Sequence, residues 1–316
     1  MLTLADVRAA AERIDGQLLR TPMIPDPVLS ARLQRPVWLK LESLQTTGSF
    51  KARGALNWTL TASDAELRPG LGAVSAGNHA LALAWTARQR QVPVTIVMPE
   101  NASPLKVQGS RDLGAEVILH GDITQAWARM HELIAEHGLT LVHPYDNERI
   151  MAGQGTVALE VLEQQPEVDT IVCPIGGGGL IGGMGVAGRA LRPELALLGV
   201  EPAGAASMAY AWAHGGPQQL EHVRTWAKSL GAAIVGETTY PACRAHTTAL
   251  YQVPDTAIRA AVKHLLQVNK LVAEPGAAVA TALMRAMDPA DVPGRGDIAI
   301  VVTGGNADHE ELCGPA

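Results

Sequence analysis

The sequence predicts an α/β protein made of two mostly parallel sheets flanked by helices, and three observations carry that prediction. Short apolar runs of strand length alternate with segments whose apolar residues recur at helical period. Glycine-rich stretches fall at the ends of several of those runs. Of 316 residues, 47% are hydrophobic but only 3% aromatic, so the core must be Ala, Val, Leu and Ile, as is usual between a parallel sheet and its helices.

In chain order, MLTLADVRAAAERIDG (1–16) carries an apolar stripe among mixed charges and predicts an amphipathic helix. GAVSAG (72–77), VTIVMP (94–99), AEVILH (115–120) and LTLVHP (139–144) are short apolar runs closed by small, polar or proline residues, which predicts four strands. The segments between them, 78–90, 103–113 and 122–137, have helical period, so this stretch predicts a nearly self-contained parallel βαβ unit. A second series has strands at DTIVCPI (169–175), LALLGVEP (195–202) and DIAIVVTGG (297–305), with helices including 180–191 and 255–268. Two such layers joined near residue 145 predict a cleft between them, a usual place for a cofactor. No internal repeat or low-complexity segment interrupts the pattern.

Composition narrows the function. The formal net charge is −6 and no dense Lys/Arg run occurs, which excludes the electrostatic footprint of a nucleic-acid or membrane-surface binder and points to a small-molecule partner. Cys173, Cys243 and Cys313 are odd in number, lack CxxC or Cys/His metal spacing, and suit a reducing compartment. The N-terminus lacks the basic start and apolar core of a signal peptide, and no uncharged apolar run is long enough to span a bilayer. A cytoplasmic protein is expected.

Glycine-rich loops carry the chemistry. IGGGGLIGG (175–183) follows a strand and opens a helix, so N–H groups unhindered by Cβ atoms can converge on a phosphate at the positive helix end. Gly177-x-Gly179-x-x-Gly182 also satisfies the dinucleotide fingerprint, and Glu201 ends the next strand where a ribose-binding acid is expected. On this loop alone, an NAD(P)-binding oxidoreductase leads. SAGNHA (75–80) and TGGN (303–306) lie at two further strand ends and add Asn78, Thr303 and more backbone donors. A nicotinamide needs neither loop. A phosphate-bearing cofactor that offers a ring, a hydroxyl and an electrophilic carbon would use all three loops and a lysine. LESLQTTGSFKARGA (41–55) supplies one, Lys51, directly after the only phenylalanine, Phe50.

In this order, LESLQTTGSFKARGA, SAGNHA, MAGQGTVALE (151–160), the tetraglycine loop, LVAEPGAA (271–278) and VVTGGN resemble the threonine dehydratase and serine racemase family of pyridoxal phosphate enzymes. The resemblance implies a two-domain, tryptophan synthase β-like fold (fold type II). Residues 1–45 and 145–316 would form the large cofactor-binding domain, and 46–144 the small inserted α/β domain. It implies pyridoxal 5'-phosphate as cofactor and a dehydratase (ammonia-lyase) acting on a β-hydroxy amino acid such as L-threonine or L-serine. A homo-oligomer, dimer or tetramer, is expected.

Carried onto this chain, the resemblance makes Lys51 the catalytic Schiff-base lysine, which also handles the substrate α-proton, its pKa lowered by desolvation. Phe50 would lie against the pyridine face, Asn78 would bond the ring hydroxyl, and Gly176, Gly177, Gly178 and Gly179 would bind the phosphate. Thr303 would meet the ring nitrogen; a hydroxyl there can leave that nitrogen neutral, which favours elimination. Ser75, Ala76, Gly77, Asn78 and His79 would clamp the substrate carboxylate. For His79, a structural role at the helix start stands beside direct contact.

Other positions sort the branches of the family. Ala52 follows Lys51 where threonine and cysteine synthases usually carry aspartate, which favours dehydratase or racemase chemistry. Ala76 stands where similar racemases carry the serine that protonates the second face, so a serine or aspartate racemase is the alternative activity and lacks its second acid. A 3-hydroxyaspartate dehydratase is a further alternative. The racemase metal site would fall on Glu201, the Ala205 carbonyl and Ser207; serine supplies no second carboxylate, and no metal is expected. AKSLGAA (227–233) replaces a common ADG segment and brings Lys228 close to a loop that borders the cofactor, while Tyr145 in HPYD either touches the substrate or packs. Because the chain ends shortly after TGGN, no C-terminal regulatory domain is expected.

Overall fold

The computed structural model describes residues 1–313. Among them are ten strands: β1 (Met23–Pro25), β2 (Val37–Leu41), β3 (Leu71–Val74), β4 (Val94–Met98), β5 (Glu116–Leu119), β6 (Thr140–Leu141), β7 (Val168–Pro174), β8 (Ala196–Pro202), β9 (Ala249–Val253) and β10 (Asp297–Val302). Six form one sheet in the order β1-β2-β10-β7-β8-β9, parallel except for β1, and four form a second, all-parallel sheet in the order β5-β4-β3-β6. The α/β class with two mostly parallel sheets is therefore as the sequence predicts.

The larger sheet is buried on both faces, which is why its central strands are continuous apolar runs. In β10, Ile298, Ile300 and Val302 face a core with Leu39, Val172, Ile258 and Met284, while the intervening Ala299 and Val301 face another with Val7, Val157 and Ile181. On the second face, helices Glu148–Gln164 and Gly179–Leu191 approach so closely that a Cβ on Gly155 would lie 2.7 Å from Gly183 O. Glycine is required at that crossing.

Three strands escape the sequence pattern. β1 has three residues and ends in proline, β2 (VWLKL) is broken by Lys40, and β9 (ALYQV) is a half-buried edge. The expected strands at 72–77, 139–144 and 297–305 stop at Val74, Leu141 and Val302, and the residues beyond them form loops.

Lys40 is buried because an ion network needs it. Arg53 Nε and Nη2 donate to the two oxygens of Glu42 at 2.7 and 2.8 Å, and Nη1 and Nη2 to Glu160 at 2.6 and 2.9 Å. Lys40 Nζ meets Glu160 at 2.5 Å and also Thr21 O and Gln164. Burial opposes the Arg53 charge, but Glu42 and Glu160 outweigh it and raise its pKa. This network ties the strand before the lysine motif, the motif itself and helix Glu148–Gln164 into one body. Among the described residues, no helix is long and apolar enough to cross a membrane. Cys173 and Cys243 are buried free thiols; the Cys313 side chain lies outside the described residues.

Candidate active site

Lys51 lies where four loops converge. The Thr46–Gly48 turn places Thr47 at φ 64° and Gly48 at φ 73°, a left-handed pair that a β-branched residue adopts only under constraint. TGGN supplies the constraint. Asn306 Nδ2 donates to Thr47 O at 2.8 Å, Gly305 N to Gly48 O at 2.8 Å, and Phe50 N to Thr303 O at 3.1 Å.

Phe50 stands before helix Lys51–Thr61, partly buried against the core that contains Val301. Lys51 Nζ donates to Pro144 O at 2.7 Å and sits 5.1 Å from the Phe50 ring centroid. Burial lowers its pKa to about 8, against the upward pull of Glu274.

Pro144 belongs to the HPYDN crossing, which also shapes the glycine loop. The Tyr145 ring lies on Gly177 where a Cβ would be, its Cβ packs on Gly179, and its hydroxyl donates to Ile234 O at 2.9 Å. Burial pushes the Tyr145 phenol up to about 12. Asp146 accepts the N–H groups of Glu237 and Thr238 at 3.1 and 2.8 Å, while Thr239 Oγ1 donates to Gly177 O at 2.7 Å. Gly178, at φ +92°, has Met208 and Thr239 against it; Gly176 has only ordinary contact with Leu230. No N–H from Gly176 through Ile181 has an acceptor among the described residues. Six donors, most of them buried, thus surround the start of a 13-residue helix.

A second uncapped helix start faces the same region. Gly77 precedes helix Asn78–Arg90, and the N–H groups of Asn78, His79 and Ala80 have no acceptor among the described residues. Asn78 Nδ2 donates to Glu274 Oε1 at 2.6 Å, and its Oδ1 accepts from Asn306 at 2.9 Å. Lys106 reaches the other oxygen of Glu274 at 3.2 Å. His79 Nε2 lies 2.9 Å from Val142 O, which can only accept, so that nitrogen carries the proton and Nδ1 is a buried acceptor with no partner among the described residues. Burial and the Lys51 charge lower the His79 pKa to about 3, so its ring is neutral. Ser75 Oγ accepts from Gly77 N at 3.2 Å, and Ala76 is exposed.

Phe50, Lys51, Asn78, His79, Thr303 and the glycine loop are therefore linked by direct bonds or short chains of residues, the loop joining Lys51 through Pro144 and Tyr145. Lys228 is different: its side chain is exposed, and Leu230 of the same turn contacts Gly176. Glu201 is also elsewhere in function. It is fully buried and accepts Met208 N and Ala209 N at 2.7 and 2.9 Å, so both its oxygens cap the following helix. Burial raises its pKa to about 7 despite those bonds. Sequence reasoning missed Glu274, Asn306, Lys106 and Asp146. Glu274, Asn306 and Asp146 stand inside quoted stretches, LVAEPGAA, TGGN and HPYD; Lys106 stands in none.

The family model described as "Pyridoxal-phosphate dependent enzyme" matches residues 14–304. The chain belongs to that family. This pyridoxal-phosphate dependent enzyme is 37% identical to L-threonine ammonia-lyase of Thermotoga maritima over 98% of its own length and 76% of the relative's. It is 36% identical to L-threo-3-hydroxyaspartate ammonia-lyase of a Pseudomonas species, over 97% of this chain and 96% of that one. Among solved structures, maize serine racemase superposes with a TM-score of 0.92 at 34% identity, covering 98% of this chain and 95% of the other. The fold is thus fold type II of the pyridoxal phosphate enzymes.

The site fits the cofactor on two independent counts. A cluster of backbone N–H groups without acceptors among the described residues, at a helix start, suits a phosphate. A partly buried lysine whose pKa has fallen to about 8 suits an aldehyde.

Proposed function

We propose that the chain is a pyridoxal phosphate-dependent ammonia-lyase that removes water from a β-hydroxy amino acid such as L-threonine or L-serine, yielding a 2-oxo acid and ammonia. The observation that carries this reading is the partly buried Lys51 amine, its pKa lowered, in a site with two helix starts whose N–H groups lack acceptors among the described residues. One start serves the cofactor phosphate and the other the substrate carboxylate. The names of the ammonia-lyase relatives support the same reaction class.

Pyridoxal phosphate, when bound, supplies an aldehyde for amine capture and an electron-withdrawing ring that acidifies the substrate Cα–H bond. Gly176, Gly177, Gly178 and Gly179 hold the phosphate through their N–H groups, and Phe50 offers an apolar face to the ring. Asn78 has one amide hydrogen left after its bond to Glu274, enough for the ring hydroxyl. The Thr303 hydroxyl serves the ring nitrogen without enforcing a proton there, which favours loss of the β-substituent. Ser75, Ala76, Gly77, Asn78 and His79 clamp the substrate carboxylate. Lys51 Nζ then takes the α-proton; its low pKa keeps it basic but not permanently charged. Ala76 carries no hydroxyl for the opposite face, so elimination outruns racemisation. Residues 46–144 act as the small domain over this site, and the working enzyme is a homo-oligomer.

The test is a panel of β-hydroxy amino acids, including 3-hydroxyaspartate, assayed for ammonia and 2-oxo acid with chiral analysis of the remaining substrate. Keto acid from at least one member is expected, and its loss in Lys51→Ala. Continued turnover by that variant, or a D-amino acid as the main product, would overturn the proposal.

A further inference from the structure

Lys106 is a buried cation that the reading above leaves without a task. It sits in helix Pro104–Asp112, its side chain only 9% exposed, and its one bonded partner among the described residues is Glu274 Oε2 at 3.2 Å. That uses one of three ammonium hydrogens. Glu274 is bonded at both oxygens, since the other one holds Asn78. The lysine stem lies along Gly77: a Cβ there would be 3.1 Å from Lys106 Cδ and 3.6 Å from Nζ. The ammonium therefore reaches the 75–79 loop at the one residue whose missing side chain lets it approach.

A carboxylate brought to this loop is held more tightly by a full positive charge beside the N–H groups than by those groups alone, because charge-assisted hydrogen bonds are the stronger kind. Lys51 cannot supply that charge. It must be neutral to accept a proton. We propose that Lys106 is the cation that pairs with the substrate α-carboxylate at the 75–79 loop, with Glu274 as the positioning residue that holds the ammonium beside Gly77. The inference rests on the reading that this loop takes the carboxylate, but its test needs no turnover.

The experiment measures binding of L-alanine and L-alaninamide to the cofactor-loaded protein by the change in cofactor absorbance. Neither ligand has a leaving group, and only the first has a carboxylate. Lys106→Met should weaken L-alanine by about ten- to a hundredfold, the worth of a charge-assisted hydrogen bond, and L-alaninamide by less than about twofold. Lys106→Arg should restore part of the L-alanine affinity. Lys106→Met/Glu274→Gln should bind L-alanine as poorly as Lys106→Met alone. Equal losses for the two ligands, or recovery in the double variant, would show that Lys106 merely neutralises Glu274 and would overturn the proposal. If Lys106→Met does not fold, Lys106→Gln carries the same comparison. Absence of ammonia-lyase activity in the unaltered protein would count against the proposed reaction and leave this binding result standing.

Discussion

At the scale of single residues, two groups, one partly and one fully buried, hold charge states that water would not give them. With a pKa near 8, about one Lys51 amine in ten is neutral at pH 7, against about one in three thousand for an ordinary lysine. Uptake of pyridoxal phosphate by protein stripped of cofactor should therefore rise about tenfold per pH unit below pH 8 and level off above it. A rate still climbing steeply at pH 10 would show an unperturbed amine. Glu201 works in the opposite direction. Its folded pKa, about 7, exceeds its usual 4.5, so the folded state binds the proton more tightly and this group's stabilising share falls as pH rises from 4.5 through 7. Glu201→Gln should flatten that part of the stability profile by on the order of 3 kcal/mol, read from chemical denaturation at pH 5 and pH 8. An unchanged slope would mean the carboxylate is solvated.

At the scale of elements, the glycine loop is shaped as much by its neighbours as by any ligand. Gly177 and Gly178 have protein atoms where a Cβ would go, whereas Gly176 does not. Gly176→Ala should shift the melting temperature by no more than about 2 °C, while Gly177→Ala, which displaces the Tyr145 ring, should lower it further and weaken cofactor retention about tenfold. Equal behaviour of the two variants would remove Tyr145 from the account. The loop was legible in the sequence because four glycines after an apolar run have few other uses, and Lys51 because its turn chemistry surrounds it. Asp146 and Lys106 were not legible. Their partners, Thr238 and Glu274, lie 92 and 168 positions away, and an isolated acid or lysine carries no local mark of such a meeting. The strands β2 and β9 failed for a related reason: Lys40 looks solvated until the network around Arg53 exists, and an edge strand needs no strict alternation.

At the scale of the whole molecule, the buried ions join parts that nothing nearby in sequence joins. Arg53→Met would strand Glu42 and a largely buried Glu160 without their guanidinium and should cost about 3–5 kcal/mol in urea unfolding. A loss under about 1 kcal/mol would mean that water enters and rescues the acids. The HPYDN crossing has a different reach. Lys51 and Pro144 bracket the whole stretch that builds the smaller sheet, 93 positions apart along the chain yet 2.7 Å apart at their hydrogen bond. That bond is one of several ties from the segment to the rest, since Asn78 and Lys106 each reach Glu274 as well. On the proposed reading, the amine that captures the aldehyde is thus also a fastening between the two ends of the segment that carries the smaller sheet.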